Sequence, residues 1–426
     1  MQWTDWPGKS SVSPNGPEHP AAFHMLDVAA VAERLIAPFP FGPRLRDALI
    51  VLAGLHDLGK ISDSFRAMLR ENVPQPGFRQ WELSEALFYA EDARFEARLG
   101  GTSRVRQLLY AAVAGHHGRP PVRNFGGLPA SARPPRELAG ALRCVGEGRE
   151  AARLLLDEFF NLWPEASLEG LTLLEASNLS WWLPGFCTAA DWVASNPCWF
   201  KPQAEAASFG TYLQNARIVA SHAVAEAGIS GVPARDVQLF DFTLRPMQAA
   251  CAEIALPDGP MLAVVEDETG AGKTEAALFL AHRMVLAGKG RGLFFALPTM
   301  ATADAMFIRA SAIVGRMLDS PSVTLAHGRA GLSVPFRDLV QGSRTGGREE
   351  ITSSDWLAES SRRALLADVG VGTIDQALLC VLPVRFQTLR YYGLSSKILI
   401  VDEVHEMGEP YIAEELVALL RVCPRS

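Results

Sequence analysis

Glu266-Asp267-Glu268-Thr269-Gly270-Ala271-Gly272-Lys273-Thr274 separates an apolar run, Met261 to Val265, from a segment free of Gly and Pro that extends to Ala287. The run reads as a strand and the segment as a helix over 273–287. A glycine loop between a strand and a helix lets backbone N–H groups approach a phosphate, and the helix N-terminus adds partial positive charge. Lys273 is placed to reach β- and γ-phosphates and Thr274 to hold Mg, with Thr269, Gly270, Ala271 and Gly272 forming the cradle of a bound ATP. Asp267 stands where the G-x-x-x-x-G-K-[ST] pattern has its first glycine, and its charge opposes a phosphate. A purely structural strand-to-helix turn accounts for Gly270 and Gly272 but gives no reason for Lys273-Thr274.

Downstream, the short apolar stretches 292–297, 323–326 and 397–401 alternate with helical stretches such as 301–317, the signature of a parallel sheet covered by helices. Ile398-Leu399-Ile400-Val401-Asp402-Glu403-Val404-His405 ends in two acids: Asp402 suits Mg and Glu403 an attacking water. In Phe242-Thr243-Leu244-Arg245-Pro246-Met247-Gln248 a helix starts at Pro246, and Gln248 carries an amide that matches an adenine edge. Thr299, Thr302 and Thr373 lie at strand ends, where they suit a strand's phosphates or ordinary helix capping. The polar, glycine-bearing stretch Gln341 to Ser361 reads as a mobile insertion.

Upstream the character is helical. Stretches 27–35, 44–55, 82–99, 105–114 and 138–162 read as helices, and the Pro/Gly/Arg-rich stretch 118–136 as a long loop. The fold class is therefore a mostly α-helical domain, residues 1–227, followed by an α/β domain with a parallel sheet, residues 228–426.

The helical half carries Gly54-Leu55-His56-Asp57-Leu58-Gly59-Lys60, Gly115-His116-His117-Gly118, His24 and Asp191, all in apolar surroundings. Each has an ordinary explanation: a capped helix end, a surface histidine, an arginine partner. Together, buried polar groups need partners. An imidazole and carboxylate set at His24, His56, Asp57, His116, His117 and Asp191 suits Mn, Ni, Co, Fe or Mg. Such an ion acidifies water for attack on phosphorus.

The chain has 426 residues and a net charge of -7, which argues against a generally basic nucleic-acid coat but permits a local basic groove. Its six cysteines, 144, 187, 198, 251, 380 and 423, form no C-x-x-C pair and read as reduced thiols of a cytoplasmic protein. No membrane span and no signal peptide are expected.

These segments in this order resemble the CRISPR-associated nuclease-helicases of type I systems, in which an HD nuclease precedes a superfamily 2 helicase. The carriers are His24-Met25-Leu26-Asp27-Val28-Ala29, His56 to Lys60, Gly115 to Gly118, Ala190-Asp191-Trp192, Thr269 to Ala277, Leu297-Pro298-Thr299, His327-Gly328-Arg329 and Asp402 to His405. The resemblance implies metal-dependent cleavage of single-stranded DNA opened by a CRISPR RNA-guided surveillance complex, in antiviral defence. It gives catalytic roles to His56, Asp57, Lys60 and Glu403, and the ATP site to the loop and Asp402. It has two departures. Gln80 stands where the family usually has a further metal-site histidine. The chain stops at Ser426 without a second helicase lobe, which reads as a truncation, or as a division of the motor with a separate chain, and leaves unwinding by this chain alone unexpected. The competing readings are a phosphohydrolase of nucleotides and a non-catalytic ATP- or DNA-binding subunit.

Overall fold

The computed structural model of the chain describes residues 3–9, 17–119, 135–203, 208–344 and 351–422. The chain divides into two compact units, Met1–Ala225 and Glu226–Ser426. Residues 120–134 of the expected arginine-rich loop lie outside the described residues, as does Cys423.

The first unit is helical apart from a small antiparallel pairing of Pro7–Lys9 with His19–Pro20. Its axis is the helix Ala21–Ile36, buried nearly all round, as expected of a segment whose polar residues His24 and Asp27 are themselves inside. Pro43–Gly54 packs beside it and passes directly into the tight turn Leu55–Lys60, where Asp57 leaves helical geometry at φ -104° and ψ 23°. That turn is pinned by Gly59. A Cβ there would stand 2.1 Å from the Gln80 carbonyl oxygen, so only glycine lets it lie on the helix Gln80–Ala90. The Gly59 N–H then donates to Ser84 Oγ at 2.9 Å.

Two expected single helices are each broken. The run 82–99 divides at Glu91 into Gln80–Ala90 and Asp92–Leu99, because Asp92 turns to meet buried Arg106 in a paired hydrogen bond, 2.8 Å on both oxygens, and accepts from Tyr110. The run 138–162 divides at Gly146, in left-handed backbone, into Pro135–Val145 and Gly148–Leu162. The long helix Leu173–Ala194 contains Pro184, whose ring removes an N–H from the ladder. Thr188 one turn on donates to both the Pro184 and His116 carbonyls, at 2.7 and 2.6 Å, tying this helix to the double-histidine turn.

The second unit is built on a parallel sheet in the order Val323–Ala326, Val369–Thr373, Gly292–Leu297, Lys397–Val401. Gly292–Leu297 is buried at every residue, as a central parallel strand requires. Its core is formed by apolar residues of these strands and of the helices Lys273–Leu286 and Met300–Met317. Two expectations are corrected here. Met261–Val265 is not a strand: Leu262 and Val264 are 74% and 83% exposed, and Lys397–Val401 is the edge of the sheet on that side. Apolar composition made it strand-like, but the run finds no ladder, and only Met261 and Val265 at its ends pack against the small cluster of Cys251, Ala276 and Leu280. The polar stretch 341–361 is no loose insertion among its described residues. Gln341–Arg344 ends the helix Val334–Arg344, Thr352 exchanges backbone hydrogen bonds with Pro321 and Val323, and Trp356 and Leu357 are buried. Those two apolar side chains anchor it.

Candidate metal centre and phosphate loop

Four elements of the first unit bring the histidines and acids together. The helix Ala21–Ile36 supplies His24, the turn Leu55–Lys60 supplies His56 and Asp57, the turn Gly115–His117 supplies His116 and His117, and the last turn of Leu173–Ala194 supplies Asp191. His24 Nε2 lies 3.1 Å from Asp191 Oδ1 and 3.8 Å from Asp57 Oδ2. His56 Nε2 lies 3.2 Å from Asp57 Oδ2 and 3.7 Å from Asp191 Oδ1, and His116 Nε2 lies 3.7 Å from Asp57 Oδ1. Two donor sets result, His24-His56-Asp57-Asp191 and Asp57-His116-His117, sharing Asp57. Adjacent ligands at about 2.1 Å from one ion stand roughly 3 Å apart, so these spacings suit a divalent cation on either side of Asp57.

The local backbone aims the rings. His56 Nδ1 hydrogen-bonds to the Ala53 carbonyl at 2.9 Å and His116 Nδ1 to the Val113 carbonyl at 2.7 Å. A ring that donates from Nδ1 to a carbonyl presents a bare Nε2, the orientation metal-ligating histidines adopt. His56 Nε2, His116 Nε2 and Asp57 Oδ1 are all buried and make no hydrogen bond. Leaving each of three buried polar atoms unsatisfied costs about 1–3 kcal/mol. Cations on either side of Asp57 would satisfy all three, so the residues present fit a metal.

The electrostatics agree. Burial pushes His116 down to about 3 and holds His24 well below its ordinary value, so both are neutral ligands. At His56 burial acts the same way, but Asp57 and Asp191 outweigh it and raise the ring to about 9, so a cation binding there displaces its proton. Burial opposes ionisation of Asp57 and Asp191, yet both stay well below the usual carboxylate range: Lys60 and His56 hold Asp57, and His24 and His56 hold Asp191. Lys60 Nζ sits 2.7 Å from Asp57 Oδ2. The centre opens to solvent at Asp191, whose side chain is 19% exposed, and at partly buried His117.

Gln80 faces this opening, its amide nitrogen 3.4 Å from His117 Nε2, and the ring of Trp81 lies 4.7 Å from that of His117. Sequence reasoning missed a supporting layer. His19 Nε2 meets Asp27 Oδ2 at 2.8 Å, and Tyr212 donates to the other Asp27 oxygen at 3.0 Å. The Asp27 next to the His24 motif was the available signal; nothing marked His19.

In the second unit Gly270 and Gly272 take left-handed backbone, φ 81° and 90°, and Lys273 begins the helix Lys273–Leu286. The Lys273 ammonium donates to the loop's own carbonyls, Asp267 at 2.9 Å and Glu268 at 3.1 Å. Asp267 is engaged too, accepting from Glu268 N–H at 2.8 Å. Gln248 is buried against the loop: its oxygen accepts from Arg245 N–H at 3.0 Å and its nitrogen donates to the Gly272 carbonyl at 3.3 Å. Arg245 reaches the Gly270 carbonyl at 2.7 Å. Thr274 Oγ1 lies 3.4 Å from Arg309, which also pairs with Glu275. Asp402 follows the strand Lys397–Val401, its N–H on the Ala296 carbonyl at 3.1 Å, and Glu403 stands in left-handed backbone. Thr299 caps the helix Met300–Met317 together with Thr302.

The class defined by fold and site is a helical domain with a histidine-aspartate cluster suited to a divalent metal, followed by a parallel-sheet domain with a lysine-bearing glycine loop and an acidic strand end. Residues 6–200 match the family described as Cas3, HD domain, and residues 245–425 match the DEAD/DEAH box helicase family. The CRISPR-associated endonuclease/helicase Cas3 of Thermus thermophilus is 35% identical over 95% of this chain, which covers 47% of that protein. The crystal structure of T. fusca Cas3 with AMPPNP superposes with a TM-score of 0.81 at 24% identity, covering 99% of this chain and 49% of that one. A structure titled as a CRISPR RNA-guided surveillance complex, pre-nicking, contains a chain matching at a TM-score of 0.66 and 22% identity, over 97% of this chain and 45% of that one. The chain carries a Cas3 HD domain followed by a DEAD/DEAH box helicase domain, and it spans about half the length of the curated relatives it matches. Among the described residues, five cysteines are free and no helix is long and apolar enough to cross a membrane.

Proposed function

We propose that this chain is a metal-dependent nuclease of single-stranded DNA joined to the ATP-binding half of a helicase motor, acting in CRISPR defence on DNA opened by an RNA-guided surveillance complex. The observation that carries the reading is the trio of buried, unpartnered ligand atoms around Asp57: His56 Nε2, His116 Nε2 and Asp57 Oδ1. His24, His56, Asp57 and Asp191 hold one divalent ion, and Asp57 with His116 and His117 a second. Mn, Ni, Co, Fe and Mg all accept such ligands. A cation held there acidifies water and neutralises charge on a phosphoryl oxygen. Lys60 keeps Asp57 ionised and fixed for that task, and the opening at Asp191 and His117 admits the phosphodiester. Gln80, a neutral amide beside His117, makes the second position the weaker of the two.

In the motor half Thr269 to Thr274 bind the phosphates of ATP, Thr274 and Asp402 hold its Mg, and Glu403 orients the attacking water. Lys273 must leave the Asp267 and Glu268 carbonyls to meet a phosphate. Gln248, with both ends of its amide engaged, acts by bracing the loop and meets adenine only after a change of partner. A second lobe, from a further segment or a separate chain, completes hydrolysis and unwinding. The free thiols suit a cytoplasmic setting. The test compares Mn-dependent turnover of single-stranded DNA with that of free nucleotides, using the wild-type chain and Asp57→Ala. The reading expects DNA cleavage that the substitution removes; turnover of nucleotides alone, or cleavage that survives it, contradicts the reading.

A further inference from the structure

The N-terminal hairpin contributes a second lysine to the face of the metal centre. In an antiparallel pair, residues directly opposite one another project from the same side of the ribbon. Lys9 is paired opposite His19. His19 projects toward the helix that carries the ligands, its Nε2 2.8 Å from Asp27 and its ring 6.3 Å from that of His24. The register shifts between Pro7 and Lys9, yet the pairing sets Lys9 beside His19, and its ammonium senses the charges of Asp191, Asp27 and Asp57. The approach is enforced by Gly8, where a Cβ would stand 2.7 Å from the Ala21 Cα, so the strand rests on the backbone that starts this helix. The Ala21 N–H closes the contact on the Trp6 carbonyl at 2.8 Å.

The two lysines at the centre differ in what they have already found. Lys60 is committed to Asp57 at 2.7 Å. Lys9 is partly buried and, among the described residues, has no ion pair within 4.0 Å and no hydrogen bond, while it senses the charges of Asp191, Asp57 and Lys60. Burial pulls it down to about 8 against the opposing attraction of Asp191, which leaves it mostly protonated at neutral pH. A partly buried ammonium without a committed anion is costly to keep unless an anion arrives.

We propose that Lys9 contacts the substrate, its ammonium holding a non-bridging oxygen of the DNA phosphodiester that enters the Asp57 centre. This inference rests on the nuclease reading above. In hydrolysis the oxygen of water bonds to phosphorus, one ester P–O bond breaks with its electron pair staying on the departing sugar oxygen, and that oxygen takes up a proton from solvent as the water loses one. Lys9 keeps its own proton throughout and donates a hydrogen bond to the non-bridging oxygen, where charge rises as the new bond forms.

The experiment uses the full chain with Mn and short single-stranded DNA, comparing wild type, Lys9→Met and Lys9→Arg. Bound metal and thermal unfolding are read beside kcat and KM, and DNA affinity is measured separately in chelator. The expected result for Lys9→Met is a kcat lower by about 10²-fold, weaker DNA binding in chelator, and unchanged metal content and unfolding temperature, with Lys9→Arg recovering most of the rate. Replacing a non-bridging oxygen at the cleaved linkage by methyl removes the charge Lys9 would meet, so it slows wild type more than Lys9→Met. A Lys9→Met rate within twofold of wild type overturns the proposal. Loss of bound metal in Lys9→Met also overturns it, by showing that the lysine serves the ligands, and so does an equal methylphosphonate penalty in both proteins. Failure of wild type to cleave any DNA defeats the nuclease reading itself and is distinguished by that control.

Discussion

The candidate metal centre and the candidate phosphate loop are built on opposite principles. Around Asp57 every candidate ligand comes from a helix or turn packed into one buried core, and the His56 and His116 rings are aimed by hydrogen bonds from Nδ1 to carbonyls of the preceding turn. Around Lys273 the loop is largely exposed, the apolar run before it lies outside the sheet, and the lysine is spent on its own loop's carbonyls. A site held by core packing is ready before its ligand arrives; a site whose cation is satisfied internally must exchange partners when a phosphate binds.

The sharpest way to break this contrast is to remove the shared carboxylate. Asp57→Ala should lower metal-dependent DNA cleavage by at least about 10³-fold, the several kcal/mol expected of metal assistance, and nucleotide binding should be untouched; the check is cleavage and nucleotide titration on the same preparation. Lys273→Ala is the mirror case. It should weaken ATP binding by about tenfold or more through loss of the phosphate contact, with ATP-independent cleavage unchanged; a parallel fall in cleavage would show that the sites are not separable. Gly59→Ala tests whether packing aims the ligands. Its Cβ would meet the Gln80 carbonyl at 2.1 Å, so the unfolding free energy should drop by about 1–3 kcal/mol and metal affinity should drop with it in a chelator competition. The smallest effect is expected at the other region: Val264→Ser, at a position 83% exposed, should change stability by no more than about 0.5 kcal/mol in denaturant titration.

Legibility in the sequence followed the same divide. His56-Asp57 and His116-His117 were readable because each pair sits in a local turn set in apolar sequence, where such residues are costly without partners. The loop, the acidic strand end and three of the four parallel strands were readable from short apolar runs, and the fourth was visible only through its end at Thr373. Lys9 and His19 were not, because a hairpin with an intervening stretch brings them to the site and neither carries a motif. Met261–Val265 misled because strand composition says nothing of whether a ladder is open to it. The stretch 341–361 misled because Trp356 and Leu357 outweigh a polar majority once they find the core. Glu91 and Gly146 ended helices for reasons of different visibility: Asp92 next to Glu91 answers to Arg106 across the fold, whereas Gly146 announced itself.

The central claim, that the buried carboxylate and imidazoles around Asp57 form a preorganised divalent-metal centre, meets its most direct test in metal content. Protein stripped with chelator, re-equilibrated with Mn and desalted should retain one to two ions per chain, and Asp57→Ala treated identically should retain none. Wild type that retains no metal, or a substituted chain that retains as much as wild type, would contradict the account.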